Sequence, residues 1–225
     1  MQSDDIELRK IGAFVNLKGK HVLEVGCGDG RLSAFLAREA ENLVAIDPDE
    51  TRIEAARQAV KNVDFRIGSG ESLEFPKDSF DLVFFGFSLH HQDGFAALAE
   101  AKRVLKPGGD ILLIEPTIMS EYTQLVALFE KEEPALLKNA QRAIEPFSTS
   151  ISRQDVFVVH HYFDTEDLFL NHYITSYGNG AAMDEDRQGL FRIIGNKRFN
   201  TPICVEDECT ITLISGQRHE GLQNN

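Results

Sequence analysis

The sequence predicts a doubly wound α/β fold on a mostly parallel sheet, and three observations carry that prediction. Short apolar strands alternate with amphipathic helices through the first half of the chain. Successive strands stand about 20–30 residues apart, the length that a helix and two turns need for a right-handed crossover between parallel strands. The strands are apolar nearly throughout, as strands covered on both faces must be.

Taken in order, residues 6–15 (Ile6, Leu8, Ile11, Phe14) read as a short amphipathic helix, and Lys18-Gly19-Lys20 as a turn. His21 to Val25 is a first strand ending in glycines. Arg31 to Ala40 has Leu32, Phe35 and Leu36 at helical spacing, and Asn42 to Asp47 is a second strand. Pro48 suits a first helical turn, with a helix from Glu50 to Val60. Val63 to Ile67 and Phe80 to Phe85 are the third and fourth strands. Asp93 to Leu105 is a helix stopped by Lys106-Pro107-Gly108-Gly109, and Asp110 to Glu115 is the fifth strand. The second half changes character. Ser120 to Glu132 and Pro134 to Ile144 read as helices, Pro146 to Ser152 as a polar connector and Val156 to Phe163 as an alternating strand. A helix capped at Asp164 or Thr165 runs to about Tyr173, and residues 177–180 form a loop. Asp184 to Phe199 is a further helix. Ile203 to Ser215 is a hairpin or one bent strand around Glu206-Asp207.

Composition narrows the function classes. The 225 residues, 42% of them apolar, suit one generous folded domain rather than a disordered chain. The net charge of −13 is spread over both halves, which argues against nucleic acid and anionic membranes, since phosphate binding is driven by Lys and Arg. Cys27, Cys204 and Cys209 are too few and too scattered for a disulfide framework or a zinc cage, so a reducing, cytoplasmic setting is expected and no metal. The start Met1-Gln2-Ser3-Asp4-Asp5 is not a signal peptide. The strongly apolar runs, such as Ile111-Leu112-Leu113-Ile114, fall far short of the ~20 residues of a membrane span.

The strongest local feature is Glu24-Val25-Gly26-Cys27-Gly28-Asp29-Gly30, between the first strand and the next helix. Alternate glycines permit positive φ and let a ligand approach the backbone. In an open parallel sheet, ligands bind at such strand ends. Asp47 follows Gly26 by 21 residues, at the end of the second strand, where a carboxylate can accept both ribose hydroxyls. The spacing is not the G-x-G-x-x-G of a pyrophosphate cradle, and no P-loop lysine follows, so NAD and ATP are disfavoured.

From Val22 to Gly30 the sequence resembles the first motif of class I S-adenosylmethionine-dependent methyltransferases. The resemblance continues through Ala45-Ile46-Asp47, Gly68 to Phe75, Phe80-Asp81-Leu82-Val83 with Leu89-His90-His91, and Arg103 to Gly109. It covers residues 18–116 and is nearest the small-molecule type, close to the quinone-biosynthesis C-methyltransferases. It implies a Rossmann-like seven-stranded sheet, S-adenosyl-L-methionine as cofactor and S-adenosylhomocysteine as product. It also implies residue roles. Gly26, Cys27, Gly28 and Gly30 belong to the loop under the methionine part. Glu24 holds the amino group, and Asp47 takes the ribose hydroxyls with Pro48 against adenine. Ser69, Gly70 and Glu71 line the adenine edge, while Gly86, Phe87 and Ser88 flank the methyl donor. The family often has Asp where Ser69 stands, so Ser69 accepts more weakly or Glu71 compensates.

One methyltransferase domain over residues 1–225 is therefore expected to comprise a cofactor half (18–116), a helical lid insertion (117–155), and sheet completion with the acceptor side (156–225). Methyl transfer from a sulfonium needs alignment and exclusion of water, and a base only where the acceptor must lose a proton. His90 and His91 are the catalytic candidates, and Tyr122, His161 and Tyr162 are placed on the acceptor side. His160 and His161 alternate on a strand, so at most one faces a pocket. Leu89-His90-His91 also reads as a structural turn with one ring packed and one solvated. The partner expected is a small-molecule acceptor, with neither nucleic acid nor membrane. The alternative is a cofactor-binding regulator or non-catalytic subunit of the same fold.

Overall fold

The computed structural model describes residues 2–3, 5–178 and 184–216. The loop expected at 177–180 runs partly outside them. In chain order the strands are β1 (Gln2–Ser3), β2 (His21–Val25), β3 (Asn42–Asp47), β4 (Asp64–Ile67), β5 (Phe80–Gly86), β6 (Leu105–Pro116), β7 (Ile151–Phe163) and β8 (Ile203–Ser215). The α-helices are α1 (Ile6–Phe14), α2 (Ser33–Glu39), α3 (Glu50–Ala59), α4 (Gly94–Val104), α5 (Glu121–Val126), α6 (Glu133–Ile144), α7 (Glu166–Ser176) and α8 (Asp184–Ile194). Among the described residues no helix is long and apolar enough to cross a membrane.

The chain forms two compact units. The larger comprises Lys10–Glu115, Asn139–Asp155 and the stretch from Ile211; the smaller comprises Met1–Arg9, Pro116–Lys138 and Val156–Thr210. Residues 117–155, the segment expected as an insertion, are thus divided between them.

The strand order of the sheet is β7-β8-β6-β5-β2-β3-β4. The β2–β3, β2–β5, β3–β4 and β5–β6 ladders are parallel. β8 runs against β6, since Gly216 N donates to Gly109 O at 2.9 Å while Thr117 N donates to Glu208 O at 2.8 Å. This is the mostly parallel, seven-stranded Rossmann-like sheet, with the two-residue β1 added antiparallel to β7 in the smaller unit. Period-2 alternation sorts the faces. Ala45 packs with Ile53 and Ala56 of α3, whereas its neighbours Val44 and Ile46 belong to the cluster that includes Ala97, Leu98, Ala101 and Val104 of α4. Helices therefore cover both faces, the doubly wound arrangement. Asp49 caps α3 by accepting from Thr51 N at 2.8 Å, and Asp93 caps α4 by accepting from Phe95 N at 3.0 Å. Each cap is worth about 1 kcal/mol.

The core of the smaller unit joins Leu125 and Val126 of α5, Phe163 of β7, Phe169, Leu170 and Tyr173 of α7, Leu190 and Ile194 of α8, and Ile203 and Val205 of β8.

Several boundaries differ from those the periodicity predicts. The helix expected over 120–132 is only α5, because its ladder gives way to tighter i→i−3 bonds, Leu128 N to Leu125 O and Phe129 N to Val126 O. The helix expected to Phe199 stops at Ile194, where Gly195 takes φ +54 and a 3₁₀ turn over Gly195–Phe199 follows. The polar connector is a 3₁₀ turn, Glu145–Ser150, and β7 begins five residues earlier than its alternation. β6 begins at Leu105, absorbing the expected turn at a register break between Phe80 and Leu82. Ile203 to Ser215 is one continuous strand.

Candidate cofactor and acceptor sites

In the larger unit a cavity of about 460 Å³ opens at the carboxyl ends of β2 and β3, within the range of small-molecule sites. Its floor is Val25 and Gly26. Asp47, Pro48, Asp49 and Arg52 form one wall, Gly68, Ser69, Gly70 and Glu71 a second, and Phe87, Ser88, His91 and Gln92 the rest. Gly26 sits at φ +75, and a Cβ there would fall 2.4 Å from the Ser88 Cβ. Gly70 is equally constrained, since a Cβ would lie 2.3 Å from Gln92 Oε1. Close packing of Ser88 against Gly26, and of Gln92 and Val25 against Gly70, therefore leaves no room for a Cβ at these two lining positions.

Asp47 is buried and fixed at both oxygens: Oδ2 accepts from Gly28 N at 2.9 Å and Oδ1 from Asp49 N at 3.0 Å. One carboxylate thus ties the glycine turn to the start of α3. Each oxygen keeps a further lone pair for a ligand hydroxyl. Glu24 is 2% exposed and lies behind the turn, where Ser33 Oγ donates to its Oε2 at 2.5 Å. Burial pushes the Glu24 carboxyl up to about 8, against the pull of Ser33 and Arg31. A cationic group brought near would recover the ionised form.

The remaining predicted cofactor residues divide. Cys27 packs with Ala45, Ile53 and Phe65, and burial raises its thiol far above the ordinary range, so the side chain is an inert packing group. Gly30, at φ +89, faces Ala56 and Val60, and Gly86 faces Leu32 and Phe84. Phe87 takes the left-handed region at φ +59, with the Arg31 guanidinium 5.8 Å from its ring centre. Ser69 Oγ accepts from Glu71 N at 3.3 Å, and Glu71 Oε1 accepts from Asp93 N at 2.7 Å. Arg52 and Gln92 are lining residues that motif reading missed. Gln92 directly follows the paired histidines, and its Nε2 donates to Ser88 O at 2.9 Å.

His90 and His91 occupy a 3₁₀ turn, Leu89–His91, with ring centres 3.9 Å apart. His91 is exposed and lines the cavity. His90 is buried and bonded through Nδ1 to Glu115 Oε2. Glu115 Oε1 accepts from Ser88 N at 3.2 Å and Leu89 N at 2.9 Å. This carboxylate holds the whole turn, and His90 is part of that support.

In the smaller unit, Tyr122 of α5 bonds through its hydroxyl to His172 Nε2 at 3.0 Å and to Tyr177 Oη at 2.9 Å. The His161 ring lies 4.7 Å from that of Tyr122. Tyr162, the next residue on β7, is partly exposed with its ring stacked on His160 at 6.2 Å, so it stands apart from Tyr122 and His161. His172, Tyr173, Tyr177 and Asp207 join the group without any motif to mark them.

Comparison with known proteins agrees with this architecture. The family described as "Methyltransferase domain" matches residues 23–113. The uncharacterized methyltransferase YcgJ of Bacillus subtilis is 34% identical over 100 residues, covering 42% of this chain and 40% of that protein. The demethylmenaquinone methyltransferase of Listeria welshimeri is 36% identical over 107 residues, covering 44% and 45%. The chain thus spans less than half the length of these two curated relatives. Among solved structures, YcgJ superposes with TM-score 0.70 at 19% identity over 96% of this chain and all of that one. A methyltransferase of Bacillus halodurans gives 0.65 at 20% identity, over 93% and 98%. Residues 23–113 therefore match a methyltransferase domain, and the chain shares the Rossmann-like α/β fold of these solved structures.

Proposed function

We propose that the protein transfers a methyl group from S-adenosyl-L-methionine to a small molecule. The observation that carries this reading is Asp47: a buried carboxylate at the end of β3, held by the backbone of the glycine turn, with lone pairs facing a cavity of about 460 Å³. That arrangement fits a nucleoside. Pro48 offers an apolar surface to the base, and Ser69, Gly70 and Glu71 line the same cavity. Gly26 lets the chain of the ligand lie on bare backbone, and Glu24 is poised behind the turn for an amino group. The cofactor supplies an electrophilic methyl on a sulfonium. The residues of this chain bind, orient and shield, and His91 stands at the cavity edge where a proton can be passed.

A small acceptor suits the net charge of −13, which opposes polyanionic partners. The similarity to demethylmenaquinone methyltransferases supports a quinone-like small acceptor. The three free cysteines suit a reducing, cytoplasmic setting.

Isothermal titration with S-adenosylhomocysteine is the test. One site per chain is expected, and Asp47→Ala should weaken it by roughly 10–100-fold through loss of paired hydroxyl contacts. No heat at millimolar ligand would overturn the reading. Binding without turnover of any acceptor would favour the regulatory alternative.

A further inference from the structure

Gln92 presents a fixed acceptor to the cavity at the ends of β2 and β3. Its Nε2 donates to Ser88 O at 2.9 Å, which sets the carboxamide. The reverse orientation would place Oε1 against the Ser88 carbonyl, acceptor facing acceptor. Oε1 lies instead against Gly70, where it would overlap a Cβ. Among the described residues no group donates to Oε1, and the atom keeps accessible surface in this half-buried lining residue. Gly70 lines the same cavity and is buried, and its N–H has no partner among the described residues. Buried backbone donors without a partner are rare.

One donor and one acceptor therefore stand side by side on this wall. The Gly70 nitrogen is one bond angle from the position that Oε1 overlaps, so the two lie within about 5 Å of one another. A planar edge carrying an N–H beside a bare ring nitrogen complements them. Adenine has that edge, with its exocyclic amino group next to a ring nitrogen. In hypoxanthine an oxygen replaces the amino group and the ring nitrogen carries a proton, so acceptor meets acceptor and donor meets donor. The other polar groups on this wall do not discriminate in that way. The Ser69 hydroxyl can give or take a hydrogen bond. Glu71 is exposed, and its Oε1 already accepts from Asp93 N at 2.7 Å.

We propose that Gln92 is the base-selecting residue of the cavity, its Oε1 accepting from the exocyclic amino group of adenine while the Gly70 N–H donates to the ring nitrogen beside it. The proposal rests on the function proposed above, which puts an adenine nucleoside in this cavity. Selection follows from the cost of the wrong partner. A base that cannot donate to Oε1 covers that atom without pairing it, and leaves the Gly70 N–H unpaired as well. Ser88 makes the selection rigid, because its carbonyl holds Nε2 and its own hydroxyl is tied to Val25 O at 2.6 Å.

Isothermal titration of the full chain with S-adenosylhomocysteine and with S-inosylhomocysteine, its hypoxanthine counterpart, is the test. The adenine ligand should bind the wild type about 100-fold more tightly. Gln92→Met keeps the length of the side chain and removes both polar atoms, and should cut that ratio about tenfold. A role confined to packing would weaken both ligands alike and leave the ratio where it was. An unchanged ratio in folded Gln92→Met therefore overturns the proposal. Should the methionine variant not fold, Gln92→Ser is read in the same way. Equal affinities of the wild type for the two ligands also overturn the proposal, and leave the methyltransferase reading standing. Binding of neither ligand overturns both.

Discussion

Gly26 and Ser88 touch where β2 and β5 end, and the Ser88 hydroxyl donates to Val25 O at 2.6 Å beside the contact. A Cβ at Gly26 would overlap that of Ser88 and would also sit at φ +75. Gly26→Ala should lose on the order of 2–4 kcal/mol, from overpacking together with left-handed strain. Urea unfolding measures the loss. Adding Ser88→Gly should recover only the overpacking share, so a full recovery would show that the backbone conformation carries no strain.

Glu24 predicts a proton linkage. Its folded-state carboxyl is raised to about 8 from an ordinary 4.5, chiefly by burial. The folded protein therefore binds the extra proton between those values, and its stability falls as pH rises through that window. Glu24→Gln should remove the dependence, gaining a few kcal/mol on the wild type near pH 8, on the scale of about 1.4 kcal/mol per unit. A cationic ligand should also expel the proton. Titrations in buffers of different ionisation enthalpy should show up to one proton released near neutral pH, and none with Glu24→Gln.

Much of this half of the molecule was legible before any coordinates. β2 and β3 are buried on both faces, so their apolar runs announce them, and Asp47 falls at the strand end that the spacing indicates. The first half of β7 was not legible. Ser152, Arg153, Gln154 and Asp155 show no alternation, because their exposed side chains make polar contacts on both sides, Gln154 Nε2 to Thr212 Oγ1 at 2.9 Å and Arg153 Nη1 to Ala13 O at 2.6 Å, rather than packing in a core. The Tyr122 group was partly hidden for a different reason. Tyr122 and His161 could be named as candidates, but Asp207 is 46 residues from His161, and only the β7–β8 pairing brings them face to face.

Glu115 predicts a graded pair of variants. Its two oxygens serve Ser88 N, Leu89 N and His90, all in buried surroundings. Glu115→Ala leaves the Ser88 and Leu89 N–H groups unpaired and takes the carboxylate from His90, and should cost about 3 kcal/mol or more in chemical denaturation. Glu115→Gln keeps one oxygen for the two N–H groups and should retain at least half of the stability lost in the alanine variant. Equal losses would mean that the negative charge toward His90 matters more than the backbone bonds.

His172 predicts acid sensitivity. Burial first, and the neighbouring His161 second, depress it from 6.5 to about 4. Between those values the unfolded chain takes up a proton that the folded chain refuses, so stability is lost as pH falls through the window. His172→Gln should flatten the decline in thermal midpoint between pH 6.5 and 4 relative to wild type. Parallel curves for the two proteins would place the acid response elsewhere.

Neither compact unit is a continuous stretch of chain. Each is assembled from three segments, and the crossings after Arg9, Glu115, Lys138, Asp155 and Thr210 all fall inside helices or strands. Specificity in such a protein is not portable as a cassette. Exchanging residues 117–155 with a relative would replace pieces of both units and sever α6 and β7 from their own packing. Under the proposed function, new acceptor preferences are therefore more readily reached by point changes than by recombination.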